Sequence, residues 1–143
     1  MTKSDATTST LDERPESQGA GSDAPSTIGK PPRFRRAGSF VFVSGTGAQP
    51  RKGAGIKVQT RACIQEISDI LEEIGGGLEN LVEVTSYLAQ MTDFVDYNEA
   101  YSKFFSVDGP ARTTIAVDQL AHPNALIEMR GVAYIAENTS TES

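Results

Sequence analysis

The sequence predicts an α/β (α+β) fold, a single β-sheet with two helices packed on one of its faces. Three observations carry that prediction. Apolar residues switch along the chain between strand spacing and helical spacing, in the order strand, strand, helix, strand, helix, strand, strand. Each helical stretch has one apolar stripe, and one side of one sheet buries both stripes economically. Several strands also carry apolar or β-branched residues on both faces, so the side away from the helices needs protein against it. That favours a homo-oligomer over a monomer.

The elements follow in order. Residues 1–28 are rich in Ser, Thr, Asp, Gly and Pro, cannot offset the entropy of ordering, and read as a disordered tail. The domain spans 29–136, and 137–143 repeat the tail composition. "RFRRAGSFVFVSG" gives two short strands joined at Ala37-Gly38, with Phe40 and Phe42 on one face and Val41 and Val43 on the other. Gly45 and Gly47 end the second. From Lys57 to Ile74 the residues Cys63, Ile67, Ile70, Leu71 and Ile74 recur at helical spacing, and "GGG" at 75–77 stops the helix. "LVEVTSYLA" at 81–89 is a strand. Asp93 then caps a second helix lined by Phe94, Tyr97, Tyr101, Phe104 and Phe105. Two strands, Arg112–Val117 and Ala125–Ile135, complete the set.

Composition narrows the function. A chain of 143 residues suits one domain. A net charge of −6 argues against nucleic acid as the main partner, because phosphate binding relies on Lys and Arg displacing counterions. The single cysteine, Cys63, excludes an internal disulfide and has no Cys or His at metal-ligand spacing. No apolar run spans a bilayer, and the N-terminus has no signal-peptide core, so the expected location is the cytoplasm, with no membrane partner.

Alternation places Arg112, Thr114 and Ala116 on one face of the penultimate strand, away from the more apolar row of Thr113, Ile115 and Val117. In the last strand Ile127, Met129, Gly131, Ala133 and Ile135 form a core row, sending Glu128, Arg130, Val132 and Tyr134 the other way. If the two strands are neighbours, Arg112 and Glu128 open toward one cavity. Composition alone favours the plainer reading, in which these charges pair with each other or point into water. The functional reading is that a guanidinium fork anchors a carboxylate, while the glutamate orients a water and moves its protons to a leaving amine.

The other candidates are weaker. His122, in the turn "QLAHPNAL", reads as a solvated loop residue, and Cys63 as a buried thiol. "GTGAQPRKGAG" does not have the residue order of a phosphate loop. The basic run "RFRRAG", with Lys30 and Arg51, serves equally well as a solubilising edge strand or as the counter-charge for a second substrate carboxylate, with Arg36 its candidate binding residue.

The stretches "AGSFVFVSG" (37–45), 58–105, "GPARTTIAV" (109–117) and "ALIEMRGVAY" (125–134) together resemble the reactive-intermediate deaminase family, RidA or YjgF. The resemblance implies a chorismate-mutase-like fold and a homotrimeric barrel with sites between subunits. It implies that Arg112 binds the substrate carboxylate and Glu128 positions the attacking water. Ser44, Gly45 and Thr114 fall on further substrate-binding positions. Many members carry Gly-x-Tyr before the first strand, where this chain reads Gly29-Lys30-Pro31.

"GPARTTIAVDQLAHPNALIEMRGVAY" and "LVEVTSYLAQMTDFVDYNEAY" are most similar to bacterial 2-aminomuconate deaminases of aromatic-compound degradation. That similarity implies hydrolysis of 2-aminomuconate to 4-oxalocrotonate (2-hydroxymuconate) and ammonia, with no metal or organic cofactor. The alternatives are a general 2-imino-acid or enamine deaminase of the detoxifying kind, and a non-catalytic trimeric regulator that binds small carboxylates.

Overall fold

A computed structural model of the chain describes residues 29–47 and 53–137. The chain divides into two units, Met1–Lys30 and Pro31–Ser143. Every element described lies in the second. The expected tail at 1–28 and all but the first residue of the expected tail at 137–143 fall outside the described residues.

Strands β1 (Phe34–Ala37) and β2 (Phe40–Thr46) form a hairpin turned by Gly38, whose φ of 59° suits a residue without Cβ. Helix α1 (Ile56–Glu73), strand β3 (Leu81–Leu88), helix α2 (Phe94–Ser102) and strands β4 (Ala111–Ala116) and β5 (Ile127–Tyr134) follow. The sheet order is β1-β2-β5-β3-β4. Only β3 and β4 pair in parallel, which requires the α2 crossover between them. The handedness of such crossovers sets both helices on the same face, where α1 packs on α2, β5 and β2. Gly45 lies inside β2 rather than ending it, in a register irregularity between Val43 and Thr46.

The core is the one the spacing predicts. Val41 and Val43 from β2, Cys63, Ile64, Ile67, Ile70 and Leu71 from α1, and Ile127, Met129 and Ala133 from β5 are buried. Each large apolar side chain taken from water contributes roughly 1.5–3 kcal/mol before conformational entropy is counted. The other sheet face is bare. Phe40, Phe42, Ile115 and Tyr134 on it are 41–49% exposed. Among the described residues no helix is long and apolar enough to cross a membrane.

The glycine stop works as predicted and the aspartate cap does not. Gly75 takes φ 85°, its N–H donates to Glu72 O at 3.2 Å, and the N–H of Gly76 donates to Leu71 O at 2.8 Å, a Schellman closure of α1. Asp93 occupies the N-cap position of α2, but its side chain makes no capping bond. The chain enters α2 through a 3-10 turn, Met91–Asp93, so Asp93 is already helical and lacks the extended backbone that turns a cap inward. The helix ends at Ser102, leaving Phe104 and Phe105 beyond it.

Gly75→Ala should lower unfolding stability by about 1–2 kcal/mol, because the left-handed conformation alone resists a Cβ and nothing lies within 4 Å of it. Gly55→Ala, in extended backbone and equally open space, should stay within about 0.5 kcal/mol of the parent in the same denaturant titration.

Candidate active site

Arg112 begins one half of the site. On β4 it stands opposite Val84, which in turn stands opposite Gly131, so its side chain lies on the helix-covered face. Phe94, Tyr97, Asn98 and Tyr101 recur on one side of α2 at helical spacing and meet it there. The guanidinium carbon lies 5.8 Å, 5.5 Å and 4.6 Å from the ring centres of Phe94, Tyr97 and Tyr101. Nη1 donates to Asn98 Oδ1 at 2.8 Å. Each aromatic contact is worth roughly 0.5–1 kcal/mol at an exposed site, and together with Asn98 they fix the plane of the fork. The arginine and Asn98, Tyr101, Ser102 and Phe105 line a cavity of about 360 Å³.

Two hydroxyls complete this half. Tyr97 Oη donates to Ser86 Oγ at 2.7 Å and lies 3.3 Å from Thr114 Oγ1, which ties Thr114 into the same face as Arg112. The hydroxyl of Tyr101 is buried and has no hydrogen-bond partner among the described residues. Burial, with the neighbouring Tyr97, pushes its pKa up to about 12, against a smaller lowering by Arg112. The phenol stays protonated at neutral pH and keeps a donor to offer.

Glu128 forms the other half. It stands opposite Tyr87 on β3 and lies on the bare face. Its carboxylate rests against Gly45, where an added Cβ would come within 2.0 Å of Oε1. Ser44, beside it, is held from outside the sheet, its hydroxyl donating to Pro32 O at 2.6 Å and its N–H to Arg33 O at 3.0 Å. Among the described residues Glu128 has no ion pair or side-chain hydrogen bond, and no three His, Cys, Asp or Glu side chains gather as a metal-ligand set.

The chain matches the family model described as Endoribonuclease L-PSP over residues 21–135. The chain belongs to the RidA/YjgF family. It is 40% identical over 116 residues to a RutC family protein of Pyrococcus abyssi, covering 78% of this chain and 91% of that one. It is 33% identical over 115 residues to Reactive Intermediate Deaminase A, chloroplastic, of Arabidopsis thaliana, covering 77% and 61%. The crystal structure of RidA from an Antarctic Psychrobacter superposes with a TM-score of 0.69 at 28% identity, covering 78% of this chain and 94% of that one. The single sheet with two helices is thus the fold of this family.

Within one copy of this RidA-family chain, Arg112 and Glu128 do not share a cavity. Their strands are not neighbours, because β3 lies between β4 and β5. Arg112 aligns across β3 with Gly131, three residues from Glu128, and an odd offset puts the two side chains on opposite faces. Thr114 stays with Arg112, and Ser44 and Gly45 stay with Glu128. Arg36 joins neither group. Its Nε donates to Gly38 O at 3.0 Å and its Nη2 to Ile135 O, so it fastens the hairpin end to the residue after β5. Lys30 belongs to the other unit, and Arg51 lies outside the described residues. His122 sits in a loop, its Nδ1 accepting from the N–H of Asn124 at 3.3 Å.

Sequence reasoning missed Asn98 and the hydroxyl of Tyr101. The available signal was a polar residue set one position after Tyr97, inside a stripe otherwise aromatic. A contact with Arg112 could not be read from it without the α2–β4 placement.

Gly45→Ala should leave the fold intact, because the clash is with the movable end of Glu128 and Gly45 has no left-handed φ. It should displace the carboxylate with unchanged thermal unfolding, and if Glu128 serves as the base of an imino-acid deaminase, turnover should fall at least about tenfold, roughly 1.4 kcal/mol of barrier. Unaltered turnover would contradict this placement of Glu128.

Proposed function

We propose that this chain is a hydrolytic deaminase of small imine or enamine carboxylates, working as a homotrimer in which each site takes Arg112 from one copy and Glu128 from its neighbour. The observation behind this is the pair of incomplete halves. One copy holds a braced cationic fork beside a polar cavity, and elsewhere an unpaired carboxylate over a glycine, with the sheet between them. A bare face bearing Phe40, Phe42, Ile115 and Tyr134 gives a reason for copies to associate. A relative named Reactive Intermediate Deaminase A supports the chemistry.

The reaction follows from the groups. Arg112 binds the carboxylate of the 2-imino acid in a two-point grip, in the cavity it lines with Asn98 and Tyr101. Glu128 takes a proton from water as the oxygen bonds to the imine carbon, giving a tetrahedral carbinolamine. The same carboxyl returns that proton to nitrogen. The carboxylate then takes the hydroxyl proton and passes it to nitrogen as the C–N bond breaks, leaving the carbonyl of a 2-oxo acid and releasing ammonia. The imine carbon is already electrophilic, so positioning and proton transfer suffice.

The finer reading is 2-aminomuconate as substrate, hydrolysed through its imine tautomer to 4-oxalocrotonate. It rests on the similarity of residues 81–101 and 109–134 to 2-aminomuconate deaminases. A general deaminase of imines such as that of 2-aminoacrylate uses the same two groups. RNA as substrate is not part of this proposal, since the net charge of −6 opposes a polyanion.

Ammonia release from freshly generated 2-aminomuconate and 2-aminoacrylate tests the function. Glu128→Gln should lower kcat at least about a hundredfold, the lower range for a lost general base, and still bind a small 2-oxo acid. Arg112→Ala should weaken both binding and turnover. Full activity in Glu128→Gln would refute the mechanism, and turnover of 2-aminoacrylate alone would refute the finer substrate.

A further inference from the structure

The strands place four charged side chains on the bare face, Arg35, Arg130, Glu83 and Glu128. None has an ion pair or side-chain hydrogen bond among the described residues. Phe42 and Val132 share the cross-strand row of Arg35 and Glu83, Tyr87 and Ile115 share that of Glu128, and Thr85 and Thr113 share that of Arg130. If another copy covers this face, each unmatched charge loses water and needs a counter-charge, at a cost of several kcal/mol if none is found.

The count leaves one cation over. Glu128 has to stay free of arginine to act as a base, because a tight guanidinium partner would lower its basicity. Glu83 is then the only carboxylate from these strands left to neutralise an arginine. It shares the cross-strand row of Arg35, through Val132 and Phe42. Arg130 remains. It stands two residues from Glu128 on the same side of β5, roughly 7 Å along the strand, with Thr85 and Thr113 in its row.

We propose that Arg130 is a specificity residue that takes the second carboxylate of a substrate carrying one at each end. The inference rests on the site proposed above, in which Arg112 of the neighbouring copy grips the imino-acid end. The three groups then lie in series, fork, carboxylate, fork. The imine carbon sits at Glu128, and the separation to Arg130 is bridged by about four or five carbon–carbon bonds of ~1.5 Å each. The substrate class is therefore an extended imine or enamine dicarboxylate. Arg36, the basic residue the sequence offers for this task, already spends donors on Gly38 O and Ile135 O.

Calorimetry of the full chain with two unreactive probes tests this. Muconate has a carboxylate at each end of a conjugated chain, and sorbate has the same chain with one. The parent should bind muconate at least about tenfold more tightly than sorbate, about 1.4 kcal/mol. Arg130→Gln should shrink that margin below about twofold without changing sorbate affinity or oligomer size, and Arg130→Lys should keep part of it. A parent without the margin, or an Arg130→Gln chain that retains it, overturns the proposal. So does an Arg130→Gln chain that weakens both probes alike or falls apart into monomers, because Arg130 would then be an ion pair between copies. The underlying site is judged separately by Arg112→Ala, which must weaken sorbate, whereas the difference between the probes judges Arg130 alone.

Discussion

Side chains on a β-strand alternate between faces, and in this sheet the alternation sends Arg112 toward the helices and Glu128 toward the bare side. The sheet is a barrier that neither side chain crosses. Any chemistry that needs both groups must bring the second from another molecule, around an edge of the sheet. Arg112 is suited to that, because β4 is an edge strand. Assembly is then part of the mechanism proposed here rather than an addition to it.

The two halves are held in different ways. The fork of Arg112 is braced by three rings and an amide on α2, so its plane is set before a ligand arrives and little ordering remains to oppose binding. Glu128 is placed by what is absent, a Cβ at Gly45, and among the described residues its oxygens have no partner to compete with water. A rigid anchor and an unencumbered base suit a reaction in which one group must hold still while the other exchanges protons. The exposed Ile115, in the cross-strand row of Glu128 through Tyr87, would, once covered, lower the local dielectric and strengthen each polar contact in the crevice.

Local patterns in the sequence reached far into this structure. Helical spacing from Cys63 to Ile74 and strand alternation in 127–135 located the core, and Gly75 marked the end of α1 correctly. Arg112 and Glu128 were legible as residues because a charge in an apolar strand stands out. Their relation was not legible, since strand order is set by pairing between distant segments, and β5 inserts between β2 and β3 with nothing local to announce it. Asp93 shows the same limit on a smaller scale, where a preceding 3-10 turn cancelled a favourable cap residue. Arg36 read as a candidate for a second substrate carboxylate because the carbonyl of Ile135, 99 positions away, is invisible to local reasoning.

The most direct measurement is complementation between two inactive chains. Arg112→Ala and Glu128→Gln proteins, each without deaminase activity alone, are unfolded together and refolded as a mixture. If every site draws its fork from one copy and its carboxylate from the next, about a quarter of the sites in randomly mixed cyclic oligomers carry both intact groups, and ammonia release returns in that proportion. A mixture as inactive as its components, with mixed oligomers present, would show that the two groups do not work across a boundary between copies.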